Sequence, residues 1–218
     1  MKTVLCYGDS NTWGWDAFAL GRHPRHVRWP GVLQAALGED FYVIEEGLNG
    51  RTTVWDDPIE LHKNGATYLI PCLESHKPLD LVVLMLGSND LKMRYSVPAY
   101  DIAAGASRLV DMILRSRCGP DDGTPQVLLL SPPPLGDMSP TPHLDEMFTG
   151  AAAKADRLAY HYVQVAQEQG CAYLDTTTFW SPARRMVCTW TRRSMKNWGS
   201  ASPNGCAICW PKLSHHPT

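Results

Sequence analysis

The chain has 218 residues, a formal net charge of −2 at pH 7 and 44% hydrophobic residues, which suits one well-cored domain. This net charge, with no basic block before residue 184, argues against a nucleic acid or an anionic membrane as the main partner, and no apolar run reaches membrane-spanning length. The apolar run "VLCY" near the start is too short for a signal peptide, and the seven Cys form no disulfide framework. We therefore expect a cytoplasmic protein with reduced thiols.

Short apolar runs alternate with amphipathic segments along the first 180 residues. In chain order the pattern predicts a strand in "TVLCYGDS", a helix over 28–38, a strand in "FYVIEEG", a helix over 65–76, a strand in "LDLVVLMLGSND", a helix over 99–116, a strand in "QVLLLSPPPL", a helix over 146–170 and a strand in "CAYLDTTT". The third strand is apolar throughout, as in a sheet covered on both faces. This alternation predicts an α/β protein, a three-layer α/β/α sandwich around a mostly parallel five-stranded sheet.

Three predicted strands end in residues that could carry chemistry, because functional groups of parallel sheets collect at the carboxyl ends of the strands. Ser10, in "GDSNTWGW", could be a nucleophile if a base lies within reach, or it could only cap the following helix together with Asp9. Gly50, in "EEGLNGRTT", could bring a backbone N–H close to a substrate or could be a plain turn glycine. Asn89, in "LGSND", could donate to an oxyanion or could belong to a turn.

Taken together and in this order, Ser10, Gly50 and Asn89 resemble the catalytic blocks of the SGNH hydrolases, also called GDSL esterases. The segments "GDSNTWGW", "VIEEGLNGRTT", "LDLVVLMLGSND" and "SPPPL" resemble the small arylesterase and acyltransferase branch of that family. The resemblance covers about residues 1–180 and implies the flavodoxin-like SGNH hydrolase fold. It implies a small-molecule ester as substrate, a homo-oligomer, and neither a cofactor nor a metal.

The resemblance also implies a mechanism. Ser10 is expected to be the nucleophile, and its backbone N–H, the Gly50 N–H and the Asn89 side chain are expected to form the oxyanion hole. The chain would then be a serine esterase that hydrolyses short-chain acetyl or aryl esters through an acyl-enzyme. Acyl transfer to an alcohol is a related activity, and deacetylation of a carbohydrate is the alternative among enzymes.

Four further residues are expected near the substrate on the same resemblance. Trp13 and Trp15 would line a small hydrophobic acyl pocket. Asn11 stands where the branch usually has Leu, and we expect it to alter one wall of that pocket. Lys92, just after "GSND", would face the site and contact the acyl or alcohol group, the alternative being an exposed loop lysine.

The last part of the chain departs from the family, whose members carry an Asp-x-x-His motif that supplies the catalytic base and its orienting carboxylate. No such motif occurs here, and Asp175 is the last acidic residue. Four of the eight Trp and three of the seven Cys lie between Trp180 and the end. We therefore divide the chain into an SGNH hydrolase domain, 1–180, and an aberrant C-terminal segment, 181–218.

A single-nucleotide frameshift between about Ala183 and Met186 would explain this segment. In the shifted reading, the last base of each codon is read with the first two bases of the next codon. The codons of Met186–Val187 then force Gly, and those of Trp190–Thr191 force Asp. The codons of Cys188–Thr189 allow only His or Tyr. The shifted text after Arg185 is compatible with "DGVHLD", which contains the missing motif. Glu, Leu and Gly are forced further on, which suits the closing helix that commonly follows this block.

The alternative is that the base is truly absent, and the chain is then a non-catalytic binding protein on the hydrolase scaffold. Other features of the segment do not favour a metal site. Cys206 and Cys209 form a C-x-x-C pair followed by His215 and His216, but no flanking pattern supports the four settled ligands of structural zinc.

Overall fold

The computed structural model describes residues 1–17, 19–139 and 141–179. Its elements in chain order are β1 Lys2–Gly8, α1 Ser10–Trp13, β2 Trp15–Asp16, β3 Gly21–Arg22, α2 Trp29–Leu37, β4 Phe41–Gly47, α3 Gly65–His76, β5 Leu81–Met85, α4 Ala99–Leu114, β6 Gln126–Leu130, α5 Pro142–Met147, α6 Ala151–Gln169 and β7 Ala172–Leu174. Short 3-10 turns lie at Asn89–Leu91, Met93–Tyr95, Pro120–Asp122 and Thr176–Phe179.

Five strands form one parallel sheet in the order β4-β1-β5-β6-β7, while β2 and β3 form a small antiparallel hairpin. Gly8, the last residue of β1, is level with Gly47 of β4 and with Met85 of β5. The segments that leave these three strands therefore start side by side at one edge of the sheet. This edge holds the residues that the sequence singles out, as expected for parallel strands.

The two faces of the sheet bury different helices. Leu5 and Leu84 lie in a core cluster with residues of α3, α4 and α6. The intervening Cys6 and Val83 lie in a second cluster with Trp29 of α2. Because successive side chains of a strand point to opposite faces, both clusters come from the same apolar strands, and the predicted layered α/β/α arrangement is confirmed.

The structure corrects the predicted helix over 146–170. α5 ends at Met147, and α6 begins at Ala151 after Gly150, which lies in the left-handed region at φ 73°. Glycine favours this backbone conformation, so the chain breaks here although the apolar spacing continues. The sequence did not predict the hairpin of β2 and β3, and it indicated α1 only as a helix that Ser10 or Asp9 could cap. Helix α1 has four residues and each hairpin strand has two. Within the described ranges, no helix combines the length and the apolar character needed to cross a membrane.

Candidate active site

Ser10 occupies the first position of α1, immediately beyond the carboxyl end of β1. Asp9 caps this single helical turn, because its carboxylate accepts the Asn11 N–H at 2.8 Å. Gly14 ends the turn at φ 86°, and its N–H donates to the Ser10 carbonyl at 2.9 Å. Ser10 itself is half-buried. The turn therefore holds this residue at the carboxyl end of β1, partly accessible to solvent. The capping role that the sequence left open for both residues belongs to Asp9.

Two glycines allow α1 to lie directly on the ends of β1 and β4. A Cβ at Gly8 would overlap the Thr12 hydroxyl and would lie 2.8 Å from the Met85 carbonyl. A Cβ at Gly47 would overlap the backbone nitrogen of Trp13. Any side chain at either position would push α1, and Ser10 with it, away from the sheet.

Gly47→Ala is therefore expected to lower kcat/KM for p-nitrophenyl acetate at least about tenfold and to cost about 1–3 kcal/mol of stability, as overpacking typically does. The added methyl group would meet backbone atoms, which cannot rotate away. Gly21→Ala is the matched control, since its Cβ would lie 3.7 Å from the Ala19 carbonyl, an ordinary contact. Ester hydrolysis and urea unfolding measure both effects, and indistinguishable behaviour of the two variants would contradict the prediction.

Two side-chain hydrogen bonds join the segments that follow β1, β4 and β5. Asn11 Nδ2 donates to Ser88 Oγ at 3.2 Å, and Asn89 Nδ2 donates to the Arg51 carbonyl at 3.1 Å. Gly50, immediately before Arg51, adopts φ 82°, which glycine favours. The structure thus brings the three predicted catalytic positions to one place. The Asn89 amide has two N–H groups, so one stays available for an oxyanion.

Aromatic and polar side chains surround the Ser10 turn. The Trp13 and Trp15 rings lie 6.2 Å apart with a 32° angle between their planes, and the Arg22 guanidinium lies 4.9 Å above the Trp13 ring. Asn11 is only 4% exposed, and its amide bonds inward, to Ser88. It therefore braces the turn against the segment after β5, while its expected contact with the acyl group stays a prediction.

Lys92 is itself buried within a charge network, so the alternative of an exposed loop lysine is wrong. Its side chain is 4% exposed, and Nζ lies 3.0 Å from Glu60 Oε1 and 3.8 Å from Asp57 Oδ2. Arg94 Nη1 contacts the same Asp57 at 2.9 Å. Glu60 Oε2 lies 2.9 Å from where a Cβ of Gly50 would stand. The network therefore reaches the predicted oxyanion hole, and direct contact of Lys92 with substrate stays a prediction.

Two buried carboxyl groups lie under the site. Burial raises the pKa of Asp9 to about 6, although hydrogen bonds from Asn11 partly offset it. Burial likewise raises the pKa of Asp90 to about 6, against the bonds donated by the Thr53 N–H and hydroxyl. The Asp90–Thr53 bonds tie the segment after β5 to the segment after β4. Both carboxyls are therefore protonated in the folded protein at a pH where exposed Asp is ionised.

These two groups predict that the free energy of unfolding falls as pH rises from about 4 to about 6. A carboxyl whose folded pKa exceeds its unfolded value stabilises the fold while protonated, and this contribution is lost through the folded pKa. Asp90→Asn should remove about 2 kcal/mol of that dependence. Hydrogen bonds outweigh burial at Asp57 and hold its pKa well below the usual value, so its contribution changes outside this window. Urea unfolding at pH 4.5 and 7 measures the difference, and equal pH dependence in wild type and variant would refute it.

No histidine in the described part of the chain serves Ser10. Six of the eight histidines lie in these ranges, and none of them hydrogen-bonds to Ser10. His23 Nδ1 is 3.2 Å from Asp16 Oδ2, and His76 Nε2 is 2.9 Å from Glu46 Oε1. The segment 181–218, with the site of the frameshift, the C-x-x-C pair and the last two histidines, lies outside the described residues.

Glu46, Cys72 and His76 form the one group in the described ranges whose ligand atoms, all within 4.8 Å of one another, could hold a metal ion. The closeness of these side chains needs no ion to explain it, because His76 already forms a hydrogen bond with Glu46. Burial, and then the Glu46 charge, raise the pKa of the Cys72 thiol to about 12, although the Arg51 cation lowers it in part. A thiol that stays protonated is a poor metal ligand, because the thiolate is the form that binds metals.

Comparisons with known proteins agree with this geometry. A family model described as GDSL-like lipase/acylhydrolase matches residues 6–193. An aryl esterase from M. smegmatis, solved native and with an inhibitor, is 41% identical, with a TM-score of 0.84 over 91% of this chain and 95% of that one. Est24, a carbohydrate acetylesterase from Sinorhizobium meliloti, is 36% identical, with a TM-score of 0.84 over 91% and 95% of the two chains. A search of curated proteins gave no match.

Proposed function

The chain belongs to the GDSL-like lipase/acylhydrolase family, and on this premise we propose that it is a serine esterase acting on short-chain acyl esters through an acyl-enzyme. The observation that carries the proposal is the pair of bonds from Asn11 to Ser88 and from Asn89 to the Arg51 carbonyl. They connect the segment of Ser10, at the end of one strand, to the segments of Gly50 and Asn89, at the ends of its two neighbours, which supports the proposed oxyanion hole. This is the arrangement that acyl transfer by a serine requires.

In the proposed mechanism, the Ser10 hydroxyl attacks the ester carbonyl while a base takes its proton. Asn89 Nδ2 and the backbone N–H groups of Ser10 and Gly50 stabilise the tetrahedral oxyanion. The Ser10 N–H suits this role, because the first N–H groups of a helix have no intrahelical acceptor. The alcohol then leaves with the proton, and water hydrolyses the acyl-enzyme by the same route in reverse order. In the frame-restored protein, whose reading frame is shifted back from residue 186, the base is the histidine of the Asp-x-x-His block that the proposed frameshift would displace.

The acyl group is proposed to be small, because α1 lies tightly on the strand ends and Trp13 belongs to the same helical turn as Ser10. Aryl acetates are the first candidate substrates, supported by the 41% identity to the M. smegmatis aryl esterase. Acetylated carbohydrates are the second, supported by the likeness to Est24. Rates on p-nitrophenyl acetate, phenyl acetate and peracetylated xylose separate the two classes. A kcat/KM at least about tenfold higher for the sugar ester would replace the first candidate by the second.

Transfer of the acyl group to an alcohol is a further proposal. The Trp13 and Trp15 rings, which lie 6.2 Å apart and follow Ser10 closely in the chain, offer an apolar surface on which an alcohol can compete with water for the acyl-enzyme. Product analysis in water containing a primary alcohol tests it, since transfer gives the new ester and hydrolysis gives only the acid. The homo-oligomer expected from the sequence also stays a proposal, which sedimentation of the purified protein tests.

A further inference from the structure

Arg51 is a buried cation at the centre of the strand ends. It is 3% exposed, and its Nη1 donates to the Gly8 carbonyl at 2.9 Å and to the Glu46 carbonyl at 2.6 Å. Gly8 precedes Ser10 by two residues, and Glu46 precedes Gly50 by four. One guanidinium nitrogen thus bonds the end of β1 to the end of β4, on the two sides of the predicted oxyanion hole.

The surroundings of this guanidinium show that its position is specific. Its carbon lies 4.2 Å from the centroid of the buried Tyr7 ring and 5.5 Å from that of Tyr68. Within the described residues it forms no ion pair with a carboxylate, and its Nε has no hydrogen-bond partner. Burial raises the pKa of the Asp9 carboxyl, and the Arg51 charge lowers it in part. The two carbonyl bonds, the aromatic faces and this carboxyl therefore together hold a cation that is costly to bury alone.

The same residue also contacts Asn89 through its backbone. The Arg51 carbonyl accepts from Asn89 Nδ2 at 3.1 Å. A carbonyl can accept only from the nitrogen end of an amide, so this bond turns the amide nitrogen of Asn89, and not its oxygen, toward the Arg51 carbonyl beside Gly50. Rotation of the Arg51 peptide group would release Asn89 from that orientation.

We propose that Arg51 is the positioning residue of the oxyanion hole, its guanidinium joining the ends of β1 and β4 while its carbonyl orients the Asn89 amide. The inference rests on the proposed esterase function. Arg51 acts through Asn89 and the Gly50 segment and does not contact the substrate. Lysine is a poor replacement, because its ammonium has no planar face to stack on the Tyr7 ring.

A double-mutant cycle in the frame-restored protein tests this assignment. Arg51→Met keeps the apolar stem and removes the donors, and we expect kcat to fall about 30- to 100-fold while KM changes less than about threefold, since small displacements of catalytic groups have effects of this size. Arg51→Lys should behave in the same way. Because Arg51 acts in part through Asn89, the double variant Arg51→Met/Asn89→Ala should lose clearly less activity than the product of the two single losses.

Leu109→Ala is the control for general loss of stability, because Leu109 lies fully buried in α4 among core residues. We expect this variant to unfold at lower urea concentration with an unchanged kcat. A kcat of Arg51→Met within threefold of wild type, or effects of Arg51→Met and Asn89→Ala that multiply, would overturn the assignment. Hydrolysis that survives Ser10→Ala would instead refute the proposed function.

A second measurement is independent of activity and uses the 218-residue chain. Hydrogen exchange should accelerate in segments 48–53 and 87–91 of Arg51→Met, where the Arg51 N–H bonds to the Leu48 carbonyl and the Thr53 N–H bonds to Asp90. In Leu109→Ala, the exchange rates of these two segments relative to the rest of the chain should be the same as in wild type. Equal exchange of both segments in wild type and Arg51→Met would overturn the assignment even if the protein is inactive.

Discussion

The 218-residue chain is expected to hydrolyse p-nitrophenyl acetate about 10³-fold more slowly than a protein in which the reading frame is restored from residue 186. A serine hydroxyl is a poor nucleophile without a base, and a positioned base contributes about 10²- to 10⁴-fold. No histidine of the described ranges hydrogen-bonds to Ser10, whereas the shifted frame is compatible with an Asp-x-x-His motif. The measurement is steady-state hydrolysis by the two purified proteins at equal concentration, each shown to be folded by circular dichroism.

The matched control replaces, in the frame-restored protein, the histidine encoded across Cys188 and Thr189 by alanine. It should return the rate to that of the 218-residue chain, since only the base is removed. Equal rates for the original and restored proteins would show that the chain already has a base, and the frameshift hypothesis would lose its functional support. Sequencing of the gene across codons 183–186 tests the shift itself.

Ser10→Ala in the frame-restored protein is expected to lower kcat for p-nitrophenyl acetate by about 10⁴-fold or more, because removing a serine nucleophile abolishes the acyl-enzyme route. The loss should not come from unfolding. α1 is capped by Asp9 and Gly14 through bonds that do not use the Ser10 hydroxyl. The melting temperature of the variant should therefore stay close to that of the unmodified protein.

Ser75→Ala is the control for this substitution. Ser75 is exposed on α3, and its hydroxyl bonds to the Cys72 carbonyl of its own helix at 3.0 Å. We expect its activity to be unchanged. A fluorophosphonate probe gives an independent result, since it should label the frame-restored protein at Ser10 and nowhere after Ser10→Ala. An unlabelled, folded protein without hydrolysis in either frame would favour the non-catalytic binding protein instead.

Much of the fold could be predicted because apolar strands and amphipathic helices have different periods. The predicted helix over 65–76 matches α3, Gly65–His76, and "FYVIEEG" matches β4. The break between α5 and α6 was not predicted. The helical spacing of apolar residues continues through it, whereas the left-handed backbone of Gly150 interrupts the helix. The hairpin of β2 and β3 was not predicted either, since strands of two residues cannot show a period.

The sequence by itself determined the parallel α/β class and the order of Ser10, Gly50 and Asn89 along the chain. It also revealed the change of composition after Asp175, because composition and codons are properties of the linear chain. Only the tertiary structure decided which residues hold the site together. Arg51 and Asp90 are charged residues that a linear pattern places at the surface, and both are buried where three strands end. A charge can be buried only if partners distant in sequence compensate it. Here the partners are carbonyl and hydroxyl groups from neighbouring strand ends, and only folding brings them within hydrogen-bond distance.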